Sequence, residues 1–236
     1  MKGENKVKHR GILNRQYDLH ETKESAVPEK GIRKFLYLLV NETGRLIILN
    51  LVFVLSCLPV ITIPAAVCAL DHVLFKMIRK GYGYDLSDYF TELRAELVKS
   101  LPVGAACGVL LFYAYYLLSF AARMPARAAG YFRFAALACC IAAVLAGSYC
   151  FAVLSLFDMK VSAALKNAVW LSLYHWKQSG TVLLLTAAFA AFVFLLMPVS
   201  GICMVIIGCA VYHLVLCITL RPVLEKHAEA GNTSDK

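Results

Sequence analysis

The stretch that decides the fold is Gly44–Arg79, GRLIILNLVFVLSCLPVITIPAAVCALDHVLFKMIR. It is apolar enough to enter a bilayer, yet it carries Pro59 and Pro64 near its middle. Proline removes a backbone donor and disfavours helix in the residue before it, so the pair marks either a kink in one span or a turn between two. Gly44 to Leu58 would cover roughly 22 Å as a helix, against a hydrocarbon core of about 30 Å. Pro59 to Ile63, extended or turn-like, would bring the chain to the far interface, and Pro64 suits the first turn of a returning helix, Ala65 to Ile78, closed by Arg79, Lys80 and Gly81.

Basic residues choose between the two readings. With one kinked span there are five crossings, and the Lys and Arg residues divide 13 against 11 between the two sides. With a turn there are six, both termini lie in the cytoplasm, and 21 of the 24 basic residues fall inside. The positive-inside rule selects six spans. The expected fold is therefore an all-α membrane protein: a six-transmembrane-helix bundle with a proline-turn hairpin at its N-terminal end and two cytoplasmic amphipathic helices.

Composition places the whole chain in the same class. Of 236 residues, 60% are hydrophobic and 17% charged, where a soluble domain carries roughly a quarter charged. The net charge of +9 is gathered at the ends of apolar runs, without the aromatic-interleaved basic cluster that nucleic acid requires. The lipid bilayer is the expected partner. All nine cysteines fall within apolar stretches and no CxxC pair occurs, which argues against a zinc site or a secreted disulfide framework and for small packing residues.

Three regions follow. Residues 1–34 are polar and basic and read as a disordered cytoplasmic tail, with no apolar core of a cleavable signal. Residues 35–220 form the polytopic membrane domain, and 221–236 a cytoplasmic tail. Within the domain, Phe35–Val40 suits an interfacial helix. Gly81–Ser100 contains an amphipathic pattern, Leu86, Phe90, Leu93 and Leu97, with Asp85 as N-cap and Asp88, Glu92, Arg94 and Glu96 on other faces. Spans are expected at Leu101–Ala122, Phe134–Phe157, Thr181–Met197 and Gly201–Leu220. A second surface helix lies within Asp158–Gly180, with Trp170, Tyr174 and Trp176 at headgroup level. The order span, surface helix, span occurs twice at an offset of about 75 residues, without matching identities.

Asn50 with the following LVFVLSCLPVITIPAA, the later FKMIRKGYG, and LKNAVWLSLYHWKQSGTVLLL at Leu165–Leu185 resemble the YesL-like family of bacterial membrane proteins, a domain of unknown function. The resemblance covers about Phe35 to Leu220. It implies an inner-membrane protein often encoded beside carbohydrate-uptake genes, with carbohydrate importer subunits as partners and no assigned catalytic residue. The chain departs from the family after Ala69-Leu70, where it has Asp71-His72.

Those two residues are the sharpest chemical feature, because an ionisable group within a span is costly and usually faces a cavity, a partner or an interface. His213 in the last span and Arg45 at the start of the first are candidate partners, and Asn50 is expected to hydrogen-bond a neighbouring helix. Asp71, His72, His213 and Asn50 thus form the candidate polar intramembrane site. The competing reading has Asp71 and His72 near the surface, solvated or paired locally. No metal site or cofactor is assigned: His72, His213 and a cysteine would have to converge tetrahedrally, which spacing does not show. Tyr113, Tyr115 and Tyr116 would line a sugar cavity or form an interface belt, and His175 reads as interfacial. No hydrolase, P-loop or dinucleotide fingerprint occurs. The expected function is non-enzymatic, assisting or regulating solute uptake, carbohydrate by the resemblance; the alternative is a small transporter or channel built around Asp71, His72 and His213.

Overall fold

The computed structural model describes residues 31–80, 86–157, 159–197 and 199–233. Asp85, read from the sequence as an N-cap, and the tail before residue 31 lie outside them. Among the described residues the chain is all helical. Five helical segments are long and apolar enough to cross a membrane: Val60–Lys80, Leu86–Ala121, Ala126–Leu156, Trp176–Leu195 and Gly201–Glu225. A sixth is available if the bent pair Phe35–Asn41 and Thr43–Ser56 counts as one span. The chain is a multi-pass membrane protein.

Helices α1 (Gly31–Asn41) and α2 (Thr43–Ser56) meet at a bend of 86°. α2 ends before Pro59, and a 3₁₀ turn, Val60–Thr62, leads into α3 (Ile63–Lys80). Thr62 holds the junction: its hydroxyl donates to the Ser56 carbonyl at 2.5 Å and its N–H to the Pro59 carbonyl at 2.9 Å. Proline thus ends one helix and stands in the first turn of the next, as its fixed φ and missing donor dictate.

α3 is the axis of the bundle. Eleven of its residues are buried, from Ala65 to Ile78 and on every face, the signature of a helix enclosed by others rather than one lying on a surface. It packs against α2, α4 (Leu86–Ala121), α5 (Ala126–Leu156) and α9 (Cys209–Thr233). The approach is close at Gly104 on α4, where a Cβ would lie 2.1 Å from the Pro64 ring.

α4 corrects the sequence reading. The surface helix and the following span are one helix of 36 residues with Pro102 inside it. The buried positions Tyr89, Glu92, Glu96, Ser100 and Val103 run at three- and four-residue spacing straight through the proline. The two halves therefore share one phase, and the change from polar to apolar composition at Ser100 falls within one continuous helix. At 1.5 Å per residue the helix is about 54 Å long, more than the bilayer needs. Its orientation departs in part from expectation: Glu92 and Glu96 face α3 and are buried, and of the apolar stripe Leu86 and Phe90 are exposed while Leu93 packs against the core.

α5 carries Ala129, Ala136, Ala143 and Gly147 on its buried side, small residues that let helices approach. α6 (Val161–Tyr174) and α7 (Trp176–Leu195) are separated at His175, whose φ of −100° and ψ of 55° interrupt the helix. α6 buries Ala164, Ala168 and Leu171 and leaves Trp170, Leu173 and Tyr174 exposed. The last span begins as α8 (Val199–Cys203), passes through a π turn, Met204–Gly208, and continues as α9 to Thr233. α9 thus runs on past Leu220, where the sequence suggests a polar tail.

Candidate functional site

Consecutive residues on a helix point about 100° apart, so Asp71 and His72 on α3 address different neighbours. Asp71 is 1% exposed and turns to α9. Its Oδ1 lies 2.7 Å from His213 Nδ1, an arrangement in which the imidazole N–H donates to the carboxylate. The Cys217 thiol, one turn further along α9, donates to the same oxygen at 3.6 Å. A carboxylate in this position has no solvent shell, and its stability depends on these partners. The reading of Asp71 as a solvated group near the surface is thereby set aside.

His72 faces α5 and α4. Its Nδ1 is 2.8 Å from the Ser155 carbonyl. A carbonyl only accepts, so Nδ1 carries the proton, and Nε2 is left facing Glu92 Oε1 at 3.8 Å. The Asp71–His213 pair and the His72–Ser155–Glu92 group therefore occupy different faces of one helix. Lys76, one turn beyond His72, pairs with Asp88 of α4. Arg45, a candidate partner of Asp71 by sequence, instead reaches Glu42 at 3.3 Å.

Beside the pair lies a cleft of about 240 Å³ bounded by α3, α4, α5, α7 and α9. Its polar lining is Asp71, His213, Tyr212, Thr186 and Ser148. The Tyr212 hydroxyl and Thr186 Oγ1 are 2.9 Å apart, and the Tyr212 ring stacks on Phe189 at 4.5 Å and meets His213 edge-on at 5.3 Å. These contacts fix the two aromatic side chains that present polar groups to the cleft. Among the described residues, no group of three or more His, Cys, Asp or Glu is placed to hold a metal ion. Tyr113, Tyr115 and Tyr116 are exposed on the outside of α4 and none lines the cleft. His175 sits at the break between α6 and α7, its ring against Tyr174.

Asn50 is fully buried but belongs to neither group. It bonds the backbone of the π turn and the start of α9, at Met204, Val205 and Ala210. The sequence gives little warning of Tyr212, Thr186, Ser155 or Cys217. Each is an ordinary residue of an apolar span, and only the packing of distant helices assigns it a partner.

The segment that contributes Asn50, Asp71, His72 and Glu92 is also the one with a recognisable relationship. Residues 46–117 match DUF624, described as a protein family of unknown function. The DUF624 match starts in α2 and ends in α4, so it takes in the proline junction and all of α3, and it agrees with the YesL-like resemblance. His213 and Tyr212, the other side of the centre, lie outside the DUF624 match. Neither the curated proteins nor the solved structures contain a match to this chain.

Proposed function

We propose that this is a non-enzymatic, multi-pass protein of the cell membrane that takes part in solute uptake, with the Asp71–His213 pair and its cleft as the working part. The observation that carries the reading is a desolvated ionisable pair, 2.7 Å apart, on the wall of a cleft within an apolar helix bundle. Nothing in lipid favours such a pair, and groups of this kind mark solute or ion pathways. Carbohydrate is the solute class that the family resemblance supplies.

In this proposal α2 and α3 are the two arms of the proline hairpin, α2 being the first of six spans. Both termini are cytoplasmic, because that arrangement puts 21 of the 24 basic residues inside. The cleft favours a pathway of the protein's own. The alternative, an accessory to carbohydrate importer subunits, draws on the exposed face of α6, Trp170, Leu173 and Tyr174, as a surface for a partner helix or the headgroup layer.

Proteoliposome flux with radiolabelled monosaccharides and disaccharides separates these readings. A flux from the wild type that Asp71→Asn abolishes is the expected result for an own pathway. No flux, with uptake reduced in cells lacking the gene and importer subunits co-purifying, assigns the accessory role. No flux together with unchanged cellular uptake would contradict uptake altogether.

A further inference from the structure

The last span contains an irregularity at Met204–Gly208, where one turn closes as a π-helix between α8 and α9. A π turn is an α-helix carrying one additional residue, and it leaves backbone groups at its edges out of step with their usual partners. Within a bilayer no water is at hand to satisfy them. Asn50 of α2 does so. Its Nδ2 donates to the Met204 carbonyl at 2.9 Å and to the Val205 carbonyl at 2.7 Å, while Oδ1 accepts the Ala210 N–H at 2.7 Å. In a regular α-helix that N–H would donate to the carbonyl four residues back, at Ile206. One amide meets all three needs because it combines two N–H donors with an acceptor in a single small group. The turn itself is tight: a Cβ on Gly208 would stand 3.0 Å from Met204 Sδ and 3.2 Å from the Cys203 carbonyl.

One residue more or less in a helix rotates everything beyond it by about 100° relative to what precedes it. Tyr212 and His213 come directly after the segment that Asn50 holds. We infer that Asn50 is a positioning residue: it keeps the last span in the π register, and that register seats His213 on Asp71. Annealing of the π turn into α-helix would turn His213 off Asp71 and redirect Tyr212, so the amide on α2 sets the composition of the cleft wall from outside the cleft. This concerns the geometry of the centre and holds whether or not the centre serves uptake.

The test reads His213 itself rather than transport. Protein labelled with ¹⁵N-histidine is placed in nanodiscs, the His213 resonance is identified by its loss in His213→Gln, and Asp71→Asn marks its position without the carboxylate. Asn50→Ala is expected to shift the His213 signal away from the wild-type position, as Asp71→Asn does. Deletion of Gly208 in the Asn50→Ala background is expected to restore it, because a span one residue shorter reaches the same register as a plain α-helix and no longer needs the amide. A His213 signal unmoved by Asn50→Ala, or moved and not restored by the deletion, would overturn the inference. Should Asn50→Ala fail to fold, the combined variant decides alone: a wild-type signal supports the register role, and an unfolded or displaced one removes it.

Discussion

Asp71→Leu is expected to lower the stability of the detergent-solubilised protein by about 1–3 kcal/mol, the usual cost of leaving a buried hydrogen-bonding partner unsatisfied. His213 would be left facing an apolar side chain, and the Cys217 thiol would lose its acceptor. The double variant Asp71→Leu/His213→Leu is expected to regain most of that loss, since replacing both members leaves only the weakly polar Cys217 thiol without its partner. Thermal unfolding of the three proteins in one detergent checks this. Equal destabilisation by the single and double changes would mean that the pair contributes shape and not electrostatics. A pair whose joint removal is tolerated by the fold is one whose retention points to function, which connects this measurement with the flux of Asp71→Asn.

Gly104→Ala is expected to be about as damaging for a different reason. The new Cβ would stand 2.1 Å from Cγ and 2.8 Å from Cβ of Pro64. A proline ring at the start of α3 cannot swing aside as a flexible side chain would, so α3 and α4 must separate at this contact. Overpacking of this kind costs about 1–3 kcal/mol and more where the backbone has to move. Gly108→Ala, one turn further along the same helix, is the matched control: nothing lies within 4 Å of its Cβ. It is expected to be neutral or slightly stabilising, by about 0.5–1 kcal/mol, through helix propensity. Yield and monodispersity on size exclusion should fall for position 104 and hold for 108; equal behaviour would show that the Pro64 contact does not hold the two helices together.

These two sites differ in how far the sequence alone reveals them. The apolar runs, the junction at Pro59 and Pro64 and the ionisable Asp71-His72 are visible because each departs locally from the composition of a span. The orientation of α4 is not visible in that way. Glu92 and Glu96 look like a solvated face, whereas enclosure of α3 turns them inward and leaves Phe90 and Val98 outside. The helix also passes through Pro102, since packing on both sides keeps one buried stripe in phase across it. His213 is separated from Asp71 by 142 residues, so a pairing that depends on two helices meeting leaves no local pattern. The π turn is more hidden still. Met204–Gly208 is uniformly apolar, and what betrays the irregular register is an asparagine 154 residues away. At His175 the reverse holds: the helix breaks without a proline or a glycine to announce it.

The proposed hairpin, with α2 and α3 as successive spans on either side of the proline junction, makes the number of crossings the central claim. Reporters that distinguish cytoplasm from exterior, fused in separate proteins before Met1 and after Lys236, test it most directly. Six spans with the hairpin place both reporters in the cytoplasm. Reporters on opposite sides of the membrane would mean an odd number of crossings, with α2 failing to span, and would contradict the hairpin.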